Sequence, residues 1–341
     1  MHILITGAAG FIGSFTALRV LERGDSVVGI DNLNQYYDAG LKQARLNRLS
    51  RFPSFRFARM DIADRAAMQQ LFSRERFDTV VNLAAQAGVR YSVENPYAYV
   101  DANLTGFCNI LEGARRSKVK HLLFASSSSV FGANTKLPFL ESDNVDHPLS
   151  LYAATKKANE LMAHSYAHLF GLPCTGLRFF TVYGPWGRPD MALFRFTKSI
   201  LEGKAVQVFN HGKMVRDFTY IDDIAEGVVR VIDRPARPDH SWDSATPNPA
   251  SSKAPYRIFN LGNNRPVELM HFIEVLEQSL ARKARIEMLP MQPGDVQATI
   301  ADVSELEAAI GYRPRTPVEV GVPRFVEWYK AYYGVTDLVT P

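Results

Sequence analysis

The segment Thr6–Gly13, with the sequence TGAAGFIG, decides the fold. It follows the apolar stretch Ile3–Thr6, which predicts a β-strand, and it leads into the amphipathic stretch Phe11–Arg23, which predicts an α-helix. Small residues in such a turn allow the backbone to approach a pyrophosphate, whose charge is stabilised at the helix N-terminus. The glycine spacing G-x-x-G-x-x-G therefore predicts a dinucleotide-binding site.

An acidic residue with the spacing expected for such a site ends the next apolar stretch. Asp31 lies eighteen residues after Gly13, at the end of Val27–Asp31. A carboxylate there can bind the hydroxyls of the adenosine ribose and would repel a 2′-phosphate. We therefore predict NAD rather than NADP as the cofactor. The alternative, a glycine-rich turn without function, is disfavoured by the combination of strand, turn, helix and acid.

Apolar runs and amphipathic stretches alternate through the first 180 residues. The apolar runs do not alternate strictly with polar residues, which is typical of parallel strands covered on both faces. This order predicts an α/β fold with a Rossmann-type doubly wound parallel sheet. The predicted strands are Ile3–Thr6, Val27–Asp31, Phe55–Asp61, Thr79–Ala84, His121–Ser126 and Cys174–Phe179, and the predicted helices are Phe11–Arg23, Asp64–Phe72, Pro96–Arg115 and Ser150–Phe170.

The pattern loosens after Phe180 and predicts a second, smaller α/β region. We therefore divide the chain into an NAD-binding Rossmann domain, residues 1–180, and a mainly substrate-binding domain, residues 181–341. Residues 234–255 are rich in Pro, Ser, Asp and Ala and predict an exposed loop that is mobile and dispensable for the fold. The predicted helices of this region are Met191–Glu202, Asp222–Ile232 and Pro266–Leu280, and the predicted strands are Val206–Phe209 and Ile258–Leu261.

Composition excludes several classes of function. The 341 residues are 46% hydrophobic and 22% charged, with a net charge of +4 and no block of Lys or Arg, so we expect no nucleic-acid partner. No apolar run approaches the roughly 18 residues needed to span a bilayer, and the N-terminus does not resemble a signal peptide. We therefore expect a cytoplasmic protein without membrane contact. Two cysteines cannot form a disulfide framework or a multi-cysteine metal site, and we expect no metal.

Two polar motifs carry the chemistry. Tyr152 and Lys156, in YAATK, stand four residues apart on a predicted helix and so share one face. A nearby cation favours the phenolate, which would make Tyr152 a base near neutral pH. The run Ser126–Ser129 follows a predicted strand, at the edge of the sheet where ligands bind. Each motif alone is also compatible with a surface pair or a polar loop, but together they predict a catalytic site.

The sequence resembles the nucleotide-sugar epimerases of the extended short-chain dehydrogenase/reductase family over nearly its whole length. Within that family it is most similar to UDP-glucuronate 4-epimerases, through DNLNQYYDAGLKQARL, the serine run and FFTVYGPWGRPDMALF. The motifs shared with the wider family are TGAAGFIG, NLAAQAGVR, SSSSVFG, YAATK, LRFFTVYGPWGRPDMA, VRDFTYIDDIA and QPGD.

The resemblance implies a reaction and its partners. NAD would be tightly bound and recycled, and the substrate would be a UDP-sugar. C4 of UDP-glucuronate would be oxidised, the 4-keto sugar would rotate, and reduction on its other face would give UDP-galacturonate. The resemblance also implies a homodimer through the helices Pro96–Arg115 and Ser150–Phe170.

The resemblance further implies roles for individual residues. Tyr152 would be the base on the sugar O4, Lys156 would bind the nicotinamide ribose, and Ser127 would share the hydrogen bond to O4. The other implied cofactor-binding residues are Gly7, Gly10, Phe11, Ile12, Gly13, Asp31, Asn32, Asp61, Ile62, Leu83, Ala84, Ala85, Gln86, Asn103 and Phe179. The other implied substrate-binding residues are Ser128, Ser129, Thr181, Arg188, Gln207, Val208, Phe209, Arg216 and Asp295.

Two features of this assignment leave alternatives open. Galactose epimerases carry Arg where this chain has Gln292, so one diphosphate contact is missing. Arg188 either replaces it or has a structural role at a Pro-rich turn. Thr181 stands where galactose epimerases have Asn, and it could hold the sugar carboxylate together with the serines. Such hydroxyls also commonly cap turns or bind backbone.

Other functions on the same fold are less well supported. Dehydratases carry an Asp-Glu pair, and decarboxylases a Glu, where this chain has only serines. Epimerases of UDP-glucose or UDP-N-acetylglucosamine and UDP-glucuronate decarboxylases remain the enzymatic alternatives. The non-enzymatic alternative is an NAD-sensing or RNA-associated relative, which would typically lack part of the Tyr, Lys and Ser set.

Overall fold

The computed structural model describes residues 1–292 and 294–335. Pro293, in the QPGD motif, and residues 336–341, at the end of the predicted second domain, lie outside the described residues. The strands are β1 (His2–Thr6), β2 (Ser26–Asp31), β3 (Phe55–Arg59), β4 (Thr79–Asn82), β5 (His121–Ser127), β6 (Cys174–Phe179), β7 (Thr181–Tyr183), β8 (Ala205–Val208), β9 (Val215–Tyr220), β10 (Tyr256–Leu261), β11 (Pro266–Glu268) and β12 (Arg285–Met288). The helices are α1 (Phe11–Glu22), α2 (Ala39–Leu49), α3 (Arg65–Arg74), α4 (Tyr91–Glu94), α5 (Pro96–Tyr99), α6 (Phe107–Arg116), α7 (Leu151–Phe170), α8 (Ala192–Leu201), α9 (Ile221–Ile232), α10 (Leu269–Leu280), α11 (Ser304–Ile310) and α12 (Val318–Tyr333).

A parallel sheet forms the centre of the molecule, with the order β10-β6-β5-β4-β1-β2-β3. From β1 the chain builds β2 and β3 on one side, and then β4, β5 and β6 on the other. The carboxyl ends of β1 and β4 therefore lie at a topological switch point, where doubly wound sheets bind their ligands. The strand interiors are buried, as at Leu4, Val28, Val80 and Leu122. This confirms the predicted α/β Rossmann-type fold.

The rest of the chain forms smaller sheets that pack beside the large one. Strands β11, β9 and β7 form one sheet, and β12 pairs with β8. Strand β10 lies in the segment predicted as the second domain, yet it pairs with β6 and completes the large sheet. One hydrophobic cluster joins both parts, including Phe15 of α1, Ile224 of α9, Phe272 of α10 and Phe325 of α12. The two parts therefore share a core, and the boundary at residue 180 stays a prediction.

The helix predicted at Pro96–Arg115 is interrupted in the structure. It consists of α5, a π-helical segment, Val100–Gly106, and α6. A π-helical turn changes the direction of its side chains relative to an α-helix, and here Asn103 points inward. The start of the helix predicted at Pro266–Leu280 is instead strand β11, which pairs with β9.

The loop predicted at residues 234–255 is irregular, but only part of it is exposed. Residues 234–249 are mostly exposed. At the end of the loop, Ala250 and Ala254 are buried in another hydrophobic cluster, which includes Leu122 and Ile258 of the large sheet. The prediction of an exposed loop is therefore wrong at this end, because small residues there pack into the core.

Candidate active site

A cavity of about 900 Å³ lies at the carboxyl ends of the central strands. It extends from the glycine-rich turn after β1, past the ends of β4, β5 and β6, to β9 in the smaller sheet. Ligand pockets are typically roughly 300–1,000 Å³. This cavity is therefore at the large end of that range, with walls from both parts of the chain.

The glycine-rich turn is packed against the start of α1. A Cβ at Gly13 would lie 2.1 Å from the carbonyl oxygen of Gly7, so only glycine fits there without moving the backbone. The N–H of Gly10 donates to the same carbonyl at 2.8 Å, which closes the turn. The amides in the first turn of a helix have no partner within the helix and can bind an anion. The turn thus fits a pyrophosphate.

Asp31 lines the cavity at the end of β2. Its Oδ1 accepts a hydrogen bond from the N–H of Leu33 at 2.8 Å, and burial raises the pKa of its carboxyl group. Next to it, Asn32 Nδ2 donates to Asp61 Oδ2 at 2.9 Å. Carboxylates at this end of the cavity suit ribose hydroxyls and oppose a 2′-phosphate. Together with the glycine turn, they fit NAD.

Tyr152, Lys156 and Ser127 line the middle of the cavity. The ammonium of Lys156 donates to the carbonyl of Ala125 at 2.8 Å, which ties α7 to the end of β5. The side chain of Ser127, at the end of the same strand, lies near the phenol of Tyr152 and acts to lower its pKa. The structure therefore brings together the three residues that the sequence assigned to catalysis.

The electrostatic environment of Tyr152 differs from the expectation. Burial raises the pKa of its phenol, and the nearby hydroxyl of Ser127 and the charge of Arg188 only partly offset this. Burial also lowers the pKa of Lys156 to about 8. The sequence predicted that Lys156 would bring the pKa of Tyr152 towards neutral. This prediction is wrong for the structure, because desolvation of the phenolate outweighs the nearby charges.

Hydroxyl groups form the wall next to Tyr152. Ser128 and Ser129 begin a 3-10 turn after β5, Thr181 begins β7, and all three line the cavity. The hydroxyl of Ser127 caps that turn, since it accepts a hydrogen bond from the N–H of Ser129 at 3.2 Å. This part of the wall can donate several hydrogen bonds without adding a negative charge.

An ion pair between Arg188 and Asp190 also lines the cavity. Arg188 donates from Nε and Nη2 to the two carboxylate oxygens of Asp190, at 3.0 and 2.5 Å. The hydroxyl of Tyr36 donates to the same carboxylate at 3.3 Å. Tyr36 lies in the segment after β2 and Asp190 in the segment after β7, so this hydrogen bond joins the two segments.

The far end of the cavity combines cations with an aromatic ring. Arg216, on β9, donates to three backbone carbonyls at 2.7, 2.9 and 3.0 Å. Arg90 pairs with Asp295 at 3.2 Å and stacks over the ring of Phe209 at 4.8 Å. A flat base and a diphosphate match this surface.

Comparison with known proteins decides the family. The profile of the NAD dependent epimerase/dehydratase family matches residues 3–262. The chain belongs to this family. This confirms the predicted resemblance to nucleotide-sugar epimerases and the assignment to an NAD-dependent fold.

Several family members are similar over their whole length. A protein of Staphylococcus aureus named CapI is 54% identical, covering 98% of this chain and 99% of its own. A probable UDP-glucuronate 4-epimerase of Rhizobium meliloti is 50% identical, covering 98% of each chain. The crystal structure of UDP-glucuronic acid 4-epimerase from Bacillus cereus, in complex with UDP-glucuronic acid and NAD, is 32% identical with a TM-score of 0.87. It covers 98% of this chain and 100% of its own.

The cavity brings together most of the site residues implied by the resemblance to this family. Asn103 does not line it, because its side chain is buried and holds the backbone of Gln86 from behind, at 2.9 and 3.0 Å. Val208 does not line it either, because successive residues of β8 face opposite sides: Ala205, Gln207 and the following Phe209 face the cavity, and Val208 is buried in the core. The residues that do line it are Gly7, Gly10, Phe11, Ile12, Gly13, Asp31, Asn32, Asp61, Ile62, Leu83, Ala84, Ala85, Gln86, Ser127, Ser128, Ser129, Tyr152, Lys156, Phe179, Thr181, Arg188, Gln207, Phe209, Arg216 and Asp295.

Several polar and aromatic residues of the cavity wall were not predicted from the sequence. Tyr36, Arg90, Tyr91 and Asp190 all line the cavity. Tyr36 and Asp190 lie within DNLNQYYDAGLKQARL and FFTVYGPWGRPDMALF, the segments that resemble UDP-glucuronate 4-epimerases most. The presence of Tyr36 and Asp190 in these motifs could have identified them as site residues.

The described residues hold neither a cluster of metal ligands nor a helix that could span a membrane. These contain no group of three or more His, Cys, Asp or Glu that could hold a metal ion. His164 and His168 have the four-residue spacing of a chelating pair, but His164 Nε2 is hydrogen-bonded to the hydroxyl of Ser252 at 2.9 Å. Within the same residues, no helix is both long enough and apolar enough to span a bilayer.

Proposed function

We propose that this protein is a UDP-glucuronate 4-epimerase, which converts UDP-glucuronate into UDP-galacturonate. The observation that carries the proposal is the wall beside Tyr152, where the run Ser127–Ser129 supplies hydroxyls and no carboxylate. Proton transfer at O4 needs no further acid, whereas the related dehydratases and decarboxylases use one at this place. The names of the relatives from Rhizobium meliloti and Bacillus cereus support the same substrate.

NAD supplies the hydride acceptor and donor when it is bound. We assign its pyrophosphate to the glycine turn and the start of α1, and its adenosine ribose to Asp31. Asp61 and Ile62 would flank the adenine, and Lys156 would hold the nicotinamide ribose. Because epimerisation is redox-neutral, purified protein should carry the cofactor and need little or none added.

Tyr152 takes the proton of the sugar O4 during oxidation and returns it during reduction. Ser127 shares the hydrogen bond to O4, which aligns the phenol with the reacting hydroxyl. The charge of Arg188 favours the phenolate that burial disfavours.

The residues around the sugar have to bind its carboxylate without promoting decarboxylation. Oxidation at C4 makes the sugar a β-keto acid, which loses CO₂ when its carboxylate bond aligns with the carbonyl π system. Ser128, Ser129 and Thr181 would hold the carboxylate out of that alignment by charge-assisted hydrogen bonds. Arg216 would contact the diphosphate, and Phe209 would lie near the uracil, so that UDP stays anchored while the sugar turns.

We also propose a homodimer formed through α6 and α7 and the segments beside them. Large apolar side chains are exposed there, with Tyr97 78%, Leu161 57% and Leu169 68% accessible. Such side chains on neighbouring elements are typical of a protein interface. Light scattering should give the mass of a dimer, and Leu161→Glu with Leu169→Glu should give a monomer. The cytoplasmic location stays a prediction.

The proposed function is tested by incubating the purified protein with UDP-glucuronate, UDP-glucose and UDP-N-acetylglucosamine separately. Anion-exchange chromatography then resolves the products. We expect UDP-galacturonate from UDP-glucuronate and much slower conversion of the two neutral sugars. Faster conversion of a neutral sugar, or release of CO₂ as the main reaction, would reject the proposal.

A further inference from the structure

Arg188 is already paired with a carboxylate inside the cavity. Its Nε and Nη2 donate to both oxygens of Asp190, which also accepts a hydrogen bond from the hydroxyl of Tyr36. The two charged side chains are only 21% and 30% exposed. A bidentate pair of this kind fixes the plane of the guanidinium, so its Nη1 edge is directed away from Asp190.

Arg188 lies within reach of the reacting end of the cavity. Arg188 and Tyr152 line the same cavity, and Tyr99 lies between them, since its ring centroid is 6.0 Å from that of Tyr152 and its hydroxyl is close to the same glycine, Gly88, as Arg188. A Cβ at Gly88 would lie 3.0 Å from the hydroxyl of Tyr36 and 3.9 Å from Nη2 of Arg188, so glycine there leaves room for both side chains. An anionic sugar that reacts at Tyr152 therefore comes close to this cation.

A cation near an acidic sugar can bind the sugar carboxylate too tightly for the sugar to rotate. In a partly buried site, an unpaired guanidinium would hold a carboxylate by a strong bidentate pair. That pair would fix the sugar in one orientation, whereas epimerisation needs two. A carboxylate already bound to the arginine weakens the hold, because two negative charges then share one positive charge.

We propose that Asp190 is a positioning residue that keeps Arg188 partly neutralised, so that the site binds an acidic sugar loosely enough for the sugar to turn. The inference rests on the proposed function, since it concerns the substrate of that same reaction. Tyr36, in the segment after β2, supports the arrangement by donating a hydrogen bond to Asp190.

Removal of the negative charge in Asp190→Asn tests this directly. Binding is measured by calorimetry on NAD-loaded protein in a Tyr152→Phe background, which does not convert the ligand. We expect Asp190→Asn to lower the Kd for UDP-glucuronate about tenfold and to change that for UDP-glucose by less than about twofold. With Tyr152 intact, the same change should lower kcat about tenfold, because the tighter ligand turns more slowly.

Two further variants separate this role from a structural one. Asp190→Glu keeps the charge and should restore the wild-type Kd. Asp233→Asn breaks the exposed pair with Arg23 instead and should change neither binding nor turnover. A folding defect in Asp190→Asn would weaken both ligands alike.

Three results would overturn the inference. These are weaker or unchanged binding of UDP-glucuronate in Asp190→Asn, an equal change for both ligands, and tighter binding with unchanged kcat. Failure of the proposed function would look different, because the wild-type protein would then form no UDP-galacturonate at all.

Discussion

Glu160 and Arg178 form a buried ion pair directly behind the serines that end β5. Arg178 donates from Nε and Nη2 to the two carboxylate oxygens of Glu160, at 2.9 and 3.0 Å, and the two side chains are 0% and 2% exposed. The hydroxyl of Ser126 donates to the same carboxylate at 2.6 Å. The pair therefore connects α7, which carries Tyr152 and Lys156, to β5 and β6.

Breaking this pair should destabilise the protein strongly. Glu160→Gln leaves the guanidinium of Arg178 buried without a counter-charge, and removal of one partner of such a pair costs about 3–5 kcal/mol. Urea denaturation followed by tryptophan fluorescence measures the change. Glu226→Gln breaks a more exposed pair with Arg230 and should cost less than about 1 kcal/mol. Equal losses in the two variants would show that the buried pair has no special role.

A second carboxyl group in the same region should make stability depend on pH. Burial raises the pKa of Glu141 from 4.5 to about 7. Its folded-state pKa is above the unfolded value, so its contribution is fully present below pH 4.5 and is lost as the pH rises through about 7. Relative to Glu141→Gln, the wild-type protein should therefore lose up to about 3 kcal/mol of stability between pH 4.5 and 8. Parallel pH profiles of Tm for the two proteins would contradict this.

Replacement of the proposed base should separate turnover from binding. Tyr152→Phe removes the proton acceptor but keeps the ring, so the Kd for UDP-glucuronate should change little while kcat falls by a factor of about 10² to 10⁴. Steady-state kinetics and calorimetry provide the two values. Near-normal turnover of the variant would mean that another group accepts the O4 proton.

Lys156→Ala should affect cofactor binding as well as turnover, unlike Tyr152→Phe. It should also lose activity, but in addition it should weaken cofactor binding, because Lys156 is assigned to the nicotinamide ribose. The amount of NAD that remains bound after gel filtration measures this. Retention equal to that of Tyr152→Phe would argue against that assignment.

The hydroxyls around the sugar should protect it from decarboxylation. Thr181→Val, or Ser128→Ala with Ser129→Ala, should weaken binding of UDP-glucuronate and raise the fraction of turnovers that end in CO₂. The products of such a turnover are a UDP-4-keto-pentose and a reduced cofactor. Trapped CO₂ and absorbance at the wavelength of reduced nicotinamide measure it. Unchanged affinity without extra CO₂ would leave these hydroxyls with only a local structural role, such as capping the turn after β5.

The sequence predicts the core of the fold and site well because both depend on short motifs. The strands around Thr6–Gly13 and the helix that presents Tyr152 and Lys156 have unambiguous apolar patterns, and the structure places them as expected. Two residues predicted to bind ligand, Asn103 and Val208, do not line the cavity, and the reason in both cases is local backbone geometry. A π-helical segment turns Asn103 inward, and strand alternation turns Val208 into the core.

Other parts of the structure could not be predicted from the sequence because charged residues are buried there. Helix α2 was not predicted because its buried face includes Lys42 and Arg45, which periodicity analysis treats as exposed. Arg45 is fully buried and donates to the carbonyl of Ala9 and to two carbonyls of the loop before Arg188. These bonds join segments far apart in sequence, and a single sequence does not show such contacts.

The central claim is that one active site removes hydride from C4 of UDP-glucuronate and returns it to the other face. The most direct test is to incubate the purified protein, without added cofactor, with UDP-glucuronate carrying deuterium at C4, and to follow the sugar by NMR. We predict UDP-galacturonate with deuterium retained at C4. Absence of the galacto isomer, or its formation with hydrogen at C4, would contradict the account.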